Sequence, residues 1–180
     1  MPRVSIVIPT YNRAALLRQT LESALAQSYR DIEVIVVDNA SEDETPAVMA
    51  GYTASDPRVH YVRKPVNKGM IDSYNMGYRL STGEFVRLLD SDDLITPEAT
   101  ALQVNALDNN PNVDVVYSRY WFIDGQSRKI SLSETPPAGD EETLRRMLQY
   151  NIVQINSALI RRKVMDATPD GPYEMSKSRG

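Results

Sequence analysis

Five short runs of apolar residues, rich in β-branched side chains, recur along the chain and predict β-strands. The runs lie at 4–8 (VSIVI), 32–37 (IEVIVV), 59–62 (VHYV), 84–89 (EFVRLL) and 113–117 (VDVVY). Most of them are continuously apolar instead of alternating with polar residues, which is typical of strands covered on both faces. The pattern therefore predicts a sheet buried inside the protein.

The segments between these runs carry apolar residues at helical spacing. The residues on the predicted buried faces are Leu17, Leu21, Ala24 and Leu25 in the first helix, Val48, Met49 and Tyr52 in the second, and Ile71, Tyr74 and Tyr78 in the third. We predict that Asn12 caps the first helix and that Thr45 caps the second, with Pro46 at its first helical position. Gly83 would stop the third helix, and a fourth would run over 97–107.

This alternation of strands and helices predicts an α/β fold with a mostly parallel sheet flanked by helices, because parallel strands need right-handed crossover connections. In such sheets, ligands bind beyond the carboxyl ends of the strands. Three polar segments fall there: PTYN (9–12), DNASED (38–43) and DSDD (90–93). We therefore expect side chains from three strands to meet at one edge of the sheet.

The pattern changes after about residue 117. Asp124-Gly125 is typical of a hairpin turn leading into RKISLS (128–133). A helix is predicted over 141–149, and the apolar stretch INSALI (155–160) predicts one more strand.

The composition is that of an ordinary globular chain of 180 residues, with 42% hydrophobic and 24% charged residues. The net charge of −4 lacks the basic excess that phosphate backbones attract, so nucleic acid is not an expected partner. The chain has no cysteine, which excludes disulfides and thiolate chemistry. No apolar window reaches the roughly 20 residues of a transmembrane helix, and the apolar run at the N-terminus is too short for a signal peptide. We expect a cytoplasmic protein, with peripheral association with a membrane left open.

Asp90, Asp92 and Asp93 place three carboxylates within four residues, directly after a predicted strand. Like charges this close raise one another's pKa unless a cation or a set of donors compensates them. Oxygen-only ligands suit a hard divalent cation such as Mn²⁺ or Mg²⁺. In an extended segment, Asp90 and Asp92 would project to one side and Asp93 to the other. The same residues would also serve as a polar turn before the helix at Pro97, so both interpretations stay open.

Two further residues admit a functional and a purely structural interpretation. Asp38 ends the second strand, where it would either accept hydrogen bonds from a ligand or cap its own loop. Gly69 lies near a helix start, where free N–H groups favour phosphate, although glycine is also common in simple turns.

Four segments together resemble the nucleotide-sugar-binding half of family 2 inverting glycosyltransferases, which have the Rossmann-like GT-A fold. The segments are VSIVIPTYNR, IEVIVVDNASEDET, NKGMIDSYNMGYRLSTGEFVRLLDSDD and NSALIRRKV, and the resemblance covers about residues 3–165. It implies a donor-binding subdomain over 1–120 and the start of an acceptor-side subdomain over 121–180.

The resemblance implies roles for individual residues. The implied nucleotide-sugar-binding residues are Pro9, Thr10 and Tyr11 at the nucleoside, Asp38 at the base, Asn67 and Gly69 at recurrent family positions, and Asp92 at the ribose. Asn75, Gly77 and Gly83 fall on further recurrent positions. The implied metal ligands are Asp92 and Asp93, which would hold Mn²⁺ or Mg²⁺ on the diphosphate of a UDP- or GDP-linked sugar.

The implied reaction transfers the sugar with inversion to a hydroxyl of an acceptor: a glycan, a lipid carrier or a small molecule. Inversion needs a general base. The segment DGPYE (170–174) resembles the element that precedes the family's acidic pair, so the base is expected beyond Gly180. On this interpretation the chain is truncated, and an exposed apolar patch would favour self-association.

Two alternatives remain beside the transferase. A nucleotidyltransferase would typically carry a Gly-rich basic loop after the first strand, where this chain has PTYNRAALL. A truncated or degenerate domain would bind nucleotide without catalysis.

Overall fold

The computed structural model describes residues 1–134 and 154–167, which form a six-stranded sheet with helices on both faces and a separate hairpin. The strands are β1 (Val4–Thr10), β2 (Ile32–Asp38), β3 (Val59–Arg63), β4 (Phe85–Leu88), β5 (Val115–Tyr117), β6 (Trp121–Ile123), β7 (Lys129–Leu132) and β8 (Ala158–Arg161). The helices are α1 (Ala14–Leu25), α2 (Thr45–Ser55), α3 (Met70–Leu80), α4 (Ala99–Asn109) and α5 (Arg162–Asp166), with a 3-10 helix (Ile155–Ser157) before β8. The predicted α/β fold is confirmed.

The strand order of the large sheet is β3-β2-β1-β4-β8-β5. β1 pairs in parallel with β2 and β4, and β2 pairs in parallel with β3, whereas β8 is antiparallel to both β4 and β5. Strands β2 and β3 thus follow one another on one side of β1, and the chain then crosses over so that β4 lies on the other side of β1. The crevice at the carboxyl ends of β1 and β4 is the place where sheets of this kind bind ligands.

Successive side chains of β1 pack into different layers of the core, as the two-residue period of a strand requires. Ile6 packs in a cluster with Leu17 of α1 and Leu107 of α4. Val7 packs in a second cluster with Tyr74 and Tyr78 of α3. All seven residues of β1 and all seven of β2 are buried, which confirms that the central strands are covered on both faces.

Helix α3 lies close to the sheet because Gly77 has no side chain. A Cβ at this position would lie 2.3 Å from Cγ1 of Val7 and 3.2 Å from Cγ2 of Val37. The close approach of α3 to β1 and β2 fixes where the first turn of the helix lies, at the carboxyl edge of the sheet.

The predicted cap of α1 is wrong. Asn12 has a left-handed φ of 51° and its Oδ1 accepts a hydrogen bond from the N–H of Glu42, while Arg13 occupies the cap position. The first N–H of the helix, that of Ala14, donates instead to Oδ2 of Asp43, at 3.0 Å. The carboxylate of Asp43, from a neighbouring loop, therefore caps the helix in place of the side chain of Asn12.

Other helix boundaries differ by one or two residues. Thr45 is the first residue of α2 and not its cap, and α4 begins at Ala99 instead of Pro97. Ile71 is 41% exposed, since the buried stripe of α3 is centred on Tyr74 and Tyr78.

The C-terminal part of the described chain contains the predicted hairpin, formed by β6 and β7 around Asp124-Gly125. Of the strand predicted over 155–160, only the part from Ala158 is extended, because Ile155–Ser157 forms a 3-10 helix. The helix predicted over 141–149 lies outside the described residues. Within residues 1–134 and 154–167, no helix is both long and apolar enough to cross a bilayer.

Candidate functional site

A cavity of about 260 Å³ opens at the carboxyl edge of the sheet. Its walls are Pro9, Thr10, Tyr11 and Arg13 at the end of β1, Asn39 after β2, Asn67, Gly69, Met70 and Ser73 around the start of α3, and Asp90 and Ser91 after β4. The predicted residues Pro9, Thr10, Tyr11, Asn67 and Gly69 are therefore brought together. The predicted residues Asp38, Asp92 and Asp93 do not line this cavity.

Two asparagines connect the loops on one side of the cavity. Nδ2 of Asn39 donates to Oδ1 of Asn67, and the N–H of Lys68 donates to Oδ1 of Asn39 at 3.0 Å. Oδ1 of Asn67 also accepts from the N–H of Gly69, whose φ of 84° lies in the left-handed region that glycine tolerates. These bonds hold the loop after β2 against the start of α3.

Asp38 lies behind the cavity wall and is fully buried. Its Oδ1 accepts a hydrogen bond from the N–H of Ser41 at 2.8 Å, and its Oδ2 accepts one from the hydroxyl of Tyr61 at 2.6 Å. Nε of Arg63 lies 3.6 Å from the same Oδ2. Burial and the bond to Asp38 raise the pKa of Tyr61. Asp38 therefore anchors the loop that presents Asn39 to the cavity.

The acidic segment after β4 forms a turn, in which the N–H of Asp93 donates to the carbonyl of Asp90 at 3.1 Å. The side chains of Asp90 and Asp93 consequently meet at one amide, Nδ2 of Asn156. Asp92 points elsewhere and pairs with Nη1 of Arg13 at 2.7 Å. The arrangement expected for an extended segment, with Asp90 and Asp92 on one side and Asp93 on the other, does not occur, because the segment bends into a turn.

The electrostatics of this turn agree with the repulsion expected from its sequence. Burial raises the pKa of Asp93, and the charges of Asp90 and Asp92 raise it further, against the lowering effect of the bond from Asn156. An added positive charge at this turn would relieve the repulsion.

The donor set fits a divalent cation that is shared with a ligand. In the described ranges no three His, Cys, Asp or Glu side chains are placed to enclose an ion by themselves. Mg²⁺ and similar ions are commonly held by one or two carboxylates together with phosphate oxygens. Asp93, joined to Asp90 through one amide, and its neighbour Asp92 supply such an incomplete set of oxygen ligands.

Sequence reasoning missed Arg13, Asn39 and Asn156 as residues of the site. Asn39 had a local signal, since it follows Asp38 directly at the end of a predicted strand. Arg13 and Asn156 lie in the family-like segments VSIVIPTYNR and NSALIRRKV, but the segments give them no role, because only the tertiary fold brings them to the acidic turn, across 79 and 63 residues respectively.

Comparison with known proteins gives a consistent result. The family model described as Glycosyl transferase family 2 matches residues 5–168. The chain is 33% identical over 163 residues to an uncharacterized glycosyltransferase of Haemophilus influenzae, covering 91% of this chain and 64% of that protein. It is also 33% identical over 144 residues to chondroitin synthase of Escherichia coli, covering 80% of this chain and 21% of the synthase. The chain thus spans less than two thirds of the length of these relatives.

Solved structures share the fold. The mannosyltransferase PcManGT from Pyrobaculum calidifontis, in complex with GDP-Man and Mn²⁺, superposes with a TM-score of 0.68 at 26% identity, over 92% of this chain and 46% of that one. TarS 1–349 of S. aureus, in complex with UDP-GlcNAc, superposes with a TM-score of 0.75 over 93% of this chain and 47% of that one. At 24% identity, the second likeness bears on the fold alone.

Proposed function

The chain belongs to glycosyltransferase family 2, and from this membership we propose that it binds the nucleotide-diphosphate sugar donor of an inverting, metal-dependent sugar transfer. Its sheet and helices have the GT-A arrangement of its structural neighbours. The observation that carries the proposal is the position of the cavity, between the carboxyl ends of β1 and β4, with Asp90 of the acidic turn in its wall.

A nucleotide sugar suits both ends of this site. Tyr11 is 43% exposed at the cavity and offers an aromatic surface to a nucleobase or a sugar. Asp90 and its neighbours Asp92 and Asp93 offer oxygen ligands for the cation on a diphosphate. The GDP-Man bound to PcManGT supports a donor of this class, with the base left open between uracil and guanine.

The proposed contact between Asp38 and the base requires a change in the hydrogen bonds that Asp38 now accepts. Both oxygens of Asp38 already accept hydrogen bonds, from Ser41 and Tyr61. A base N–H would have to share the carboxylate with one of these donors, or to bind Asn39 in front of it.

Asp92 and Asp93 are the proposed ligands of Mn²⁺ or Mg²⁺, and the Mn²⁺ bound to PcManGT supports this choice of metal. When bound, the cation would supply Lewis-acid stabilisation of the departing diphosphate. Asp92 pairs with Nη1 of Arg13 at 2.7 Å, so it would have to exchange this partner for the cation.

The remaining parts of the reaction rest on the family alone. The general base, the acceptor, the division into subdomains at residue 120 and a cytoplasmic location stay predictions. Asp166, the last acidic residue of the described chain, accepts a hydrogen bond from Tyr78 at the C-terminal end of α3, away from the cavity.

Titration calorimetry with UDP and with GDP, each with and without Mn²⁺, tests the proposal. We expect at least one nucleotide to bind in a Mn²⁺-dependent way, and Asp93→Ala to abolish that binding. Asp31→Ala is the matched control, because Asp31 is exposed and lies at the opposite edge of the sheet.

The outcomes separate the parts of the proposal. No binding of either nucleotide in the presence of Mn²⁺ would refute it. Full Mn²⁺-dependent binding by Asp93→Ala would refute only the role given to Asp93. Nucleotide binding without any release of sugar from UDP-GlcNAc or GDP-Man would favour the non-catalytic alternative.

A further inference from the structure

Asn156 joins the two carboxylates that lie deepest in the acidic turn, and no motif gave it a role. We infer that Asn156 is a positioning residue that holds Asp93, a proposed ligand of the divalent cation, in a fixed place beside Asp90. The inference rests on the proposed function, since it concerns the cation of the nucleotide diphosphate.

The amide of Asn156 matches the two carboxylates it contacts. Nδ2 has two hydrogens, and it donates one to Oδ2 of Asp90 at 2.8 Å and the other to Oδ2 of Asp93. Asn156 is only 6% exposed, so water does not compete for these hydrogens. One neutral side chain therefore draws together two groups that would otherwise repel.

The bonds leave the carboxylates able to bind a cation. Oδ1 of Asp90 accepts from the hydroxyl of Tyr74 at 2.6 Å, which fixes the rotation of that carboxylate. Oδ1 of Asp93 accepts no hydrogen bond from the described part of the chain. Asn156 thus binds one oxygen of each carboxylate and leaves Oδ1 of Asp93 available as a ligand.

A second observation concerns the other end of the same amide. Oδ1 of Asn156 is buried and has no hydrogen-bond partner among the described residues. A buried acceptor without a partner is costly and calls for an explanation beyond stability. Here the two bonds made by Nδ2 fix the orientation of the amide and leave its oxygen without a partner among the described residues.

The backbone of Asn156 is held by the strand that carries the acidic turn. Nη1 of Arg87 on β4 donates to the carbonyl of Asn156 at 3.1 Å, and its Nη2 donates to Gln103 of α4. Gln103 in turn donates to the carbonyl of Ser157 at 2.7 Å. Arg87 is 2% exposed and makes no ion pair within residues 1–134 and 154–167. A buried guanidinium thus serves to fix the 3-10 helix beneath Asp90.

The test compares Asn156→Ala and Asn156→Leu with wild type. Leucine has the same branched side-chain skeleton as asparagine, with bulkier methyl groups and no N–H, and alanine removes the branch altogether, so the two variants together separate the hydrogen bonds from simple packing. Ser157→Ala is the matched control, because it removes a partly buried hydrogen bond from the same 3-10 helix, to the carbonyl of Gln154 at 2.7 Å, without touching a carboxylate. Folding of each variant is checked by thermal unfolding in EDTA.

The probe is MnCl2, alone and with UDP or GDP, and free Mn²⁺ is followed by electron paramagnetic resonance. We expect both Asn156 variants to bind Mn²⁺ about 10- to 100-fold more weakly than wild type, the usual effect of losing a partner that orients metal ligands. Ser157→Ala should bind Mn²⁺ as wild type does, even where its unfolding temperature falls by a similar amount.

Each contrary result has one meaning. Mn²⁺ affinity that is unchanged or higher in Asn156→Leu would overturn the inference and leave the proposed function in place. An equal loss of affinity in Ser157→Ala would also overturn it, because the effect would then belong to the 3-10 helix and not to the amide. Wild-type protein that binds no Mn²⁺ in the presence of nucleotide would refute the metal dependence itself.

Discussion

Two glycines inside helices have opposite surroundings and should respond oppositely to alanine. At Gly77 a Cβ would lie 2.3 Å from Cγ1 of Val7, whereas at Gly51 in α2 nothing lies within 4 Å. We expect Gly77→Ala to lower the free energy of unfolding by about 1–3 kcal/mol through overpacking. Gly51→Ala should raise it by roughly 0.5–1 kcal/mol, because alanine loses less conformational entropy in a helix. Urea unfolding measures both.

The double variant Val7→Ala/Gly77→Ala is the control for the mechanism. Removing Cγ1 of Val7 makes room for the new Cβ, so the two substitutions together should cost less than the sum of their separate costs. Strict additivity would show that the close approach of α3 to β1 is not the cause.

The raised pKa of Tyr78 predicts that the free energy of unfolding falls at alkaline pH. Burial, and next the hydrogen bond to Asp166, raise its pKa from 10.0 to about 12. Below pH 10 the folded and unfolded chains both keep the proton, and the contribution to stability is fully present. Between pH 10 and about 12 only the unfolded chain loses it, so stability should fall as pH rises through this window. Denaturant unfolding at several pH values measures the slope.

Tyr78→Phe and Asp166→Asn test this assignment. The phenylalanine variant should show a shallower loss of stability over the same pH window, because it has no proton to lose. The asparagine variant should lower the pKa of Tyr78 towards 10, which the phenolate absorbance difference from Tyr78→Phe reports. An identical slope in wild type and Tyr78→Phe would contradict the raised pKa.

At the residue scale, the sequence identified the chemistry of the site better than its geometry. The repulsion within Asp90–Asp93 was predictable, because charge and spacing along the chain suffice to expect it. The partners that relieve it, Arg13 and Asn156, come from distant segments, and the motifs that contain them do not show that they reach the acidic turn. Asp38 was correctly placed at a strand end, but its burial depends on Tyr61 from the neighbouring strand.

At the scale of elements, Glu33 ties three segments together at the amino-terminal edge of the sheet. Its Oε1 accepts hydrogen bonds from Oγ of Ser5 on β1 at 2.6 Å and from the N–H and hydroxyl of Thr82 before β4. Hydrogen bonds to a charged group contribute about 1.5–3 kcal/mol, and Glu33→Ala would leave these donors without an acceptor. We therefore expect Glu33→Ala to reduce the free energy of unfolding by about 2–3 kcal/mol, measured by urea unfolding.

Two variants bracket the effect. Glu33→Gln keeps an acceptor oxygen at nearly the same place, so its loss of stability should be clearly smaller than that of Glu33→Ala. Glu42→Ala removes an exposed carboxylate and should change stability by no more than about 0.5 kcal/mol. Equal costs at Glu33 and Glu42 would contradict the role given to this contact.

The elements themselves were largely predictable, and the errors share one cause. The runs that became β1 and β2 are apolar throughout, and a strand buried on both faces has no other pattern available to it. The start of α1 was wrong because Asp43, from the loop after β2, accepts the hydrogen bond of its first N–H. A helix cap that comes from a residue distant in the sequence cannot be recognised from the residues next to the helix.

At the scale of the whole molecule, the sequence predicted the edge where the site lies but not all of the sheet. The rule that parallel strands end at a common edge brought the segments 9–12, 38–43 and 90–93 together correctly. The insertion of β8 between β4 and β5, antiparallel to both, was not predictable, since strand order depends on long-range pairing. That insertion is also what places Asn156 beneath the acidic turn.

The hairpin of β6 and β7 carries the surface on which self-association, expected from the sequence, would depend. Trp121 and Leu132 are paired across the two strands and are 43% and 37% exposed, and Ile130, two residues before Leu132, is 68% exposed. Phe122 is 52% exposed on the other side of the hairpin, because consecutive side chains of a strand face opposite sides. A contiguous apolar patch favours association, whereas a single exposed apolar residue is ordinary. We expect concentration-dependent association in sedimentation experiments, with a shift in the fluorescence of Trp121, the single tryptophan of the chain.

A charged residue placed on the hairpin distinguishes association through the hairpin from nonspecific association through other exposed apolar residues. Ile130→Lys should weaken association several-fold, because a lysine in the middle of the contact would have to be buried without a partner. Leu102→Lys is the matched control, since Leu102 is 67% exposed on α4, away from the hairpin. Association that falls equally in both variants, or a wild-type chain that stays monomeric at every concentration, would contradict a contact through the hairpin. Because the patch lies outside the nucleotide cavity, both variants should keep the nucleotide binding of wild type.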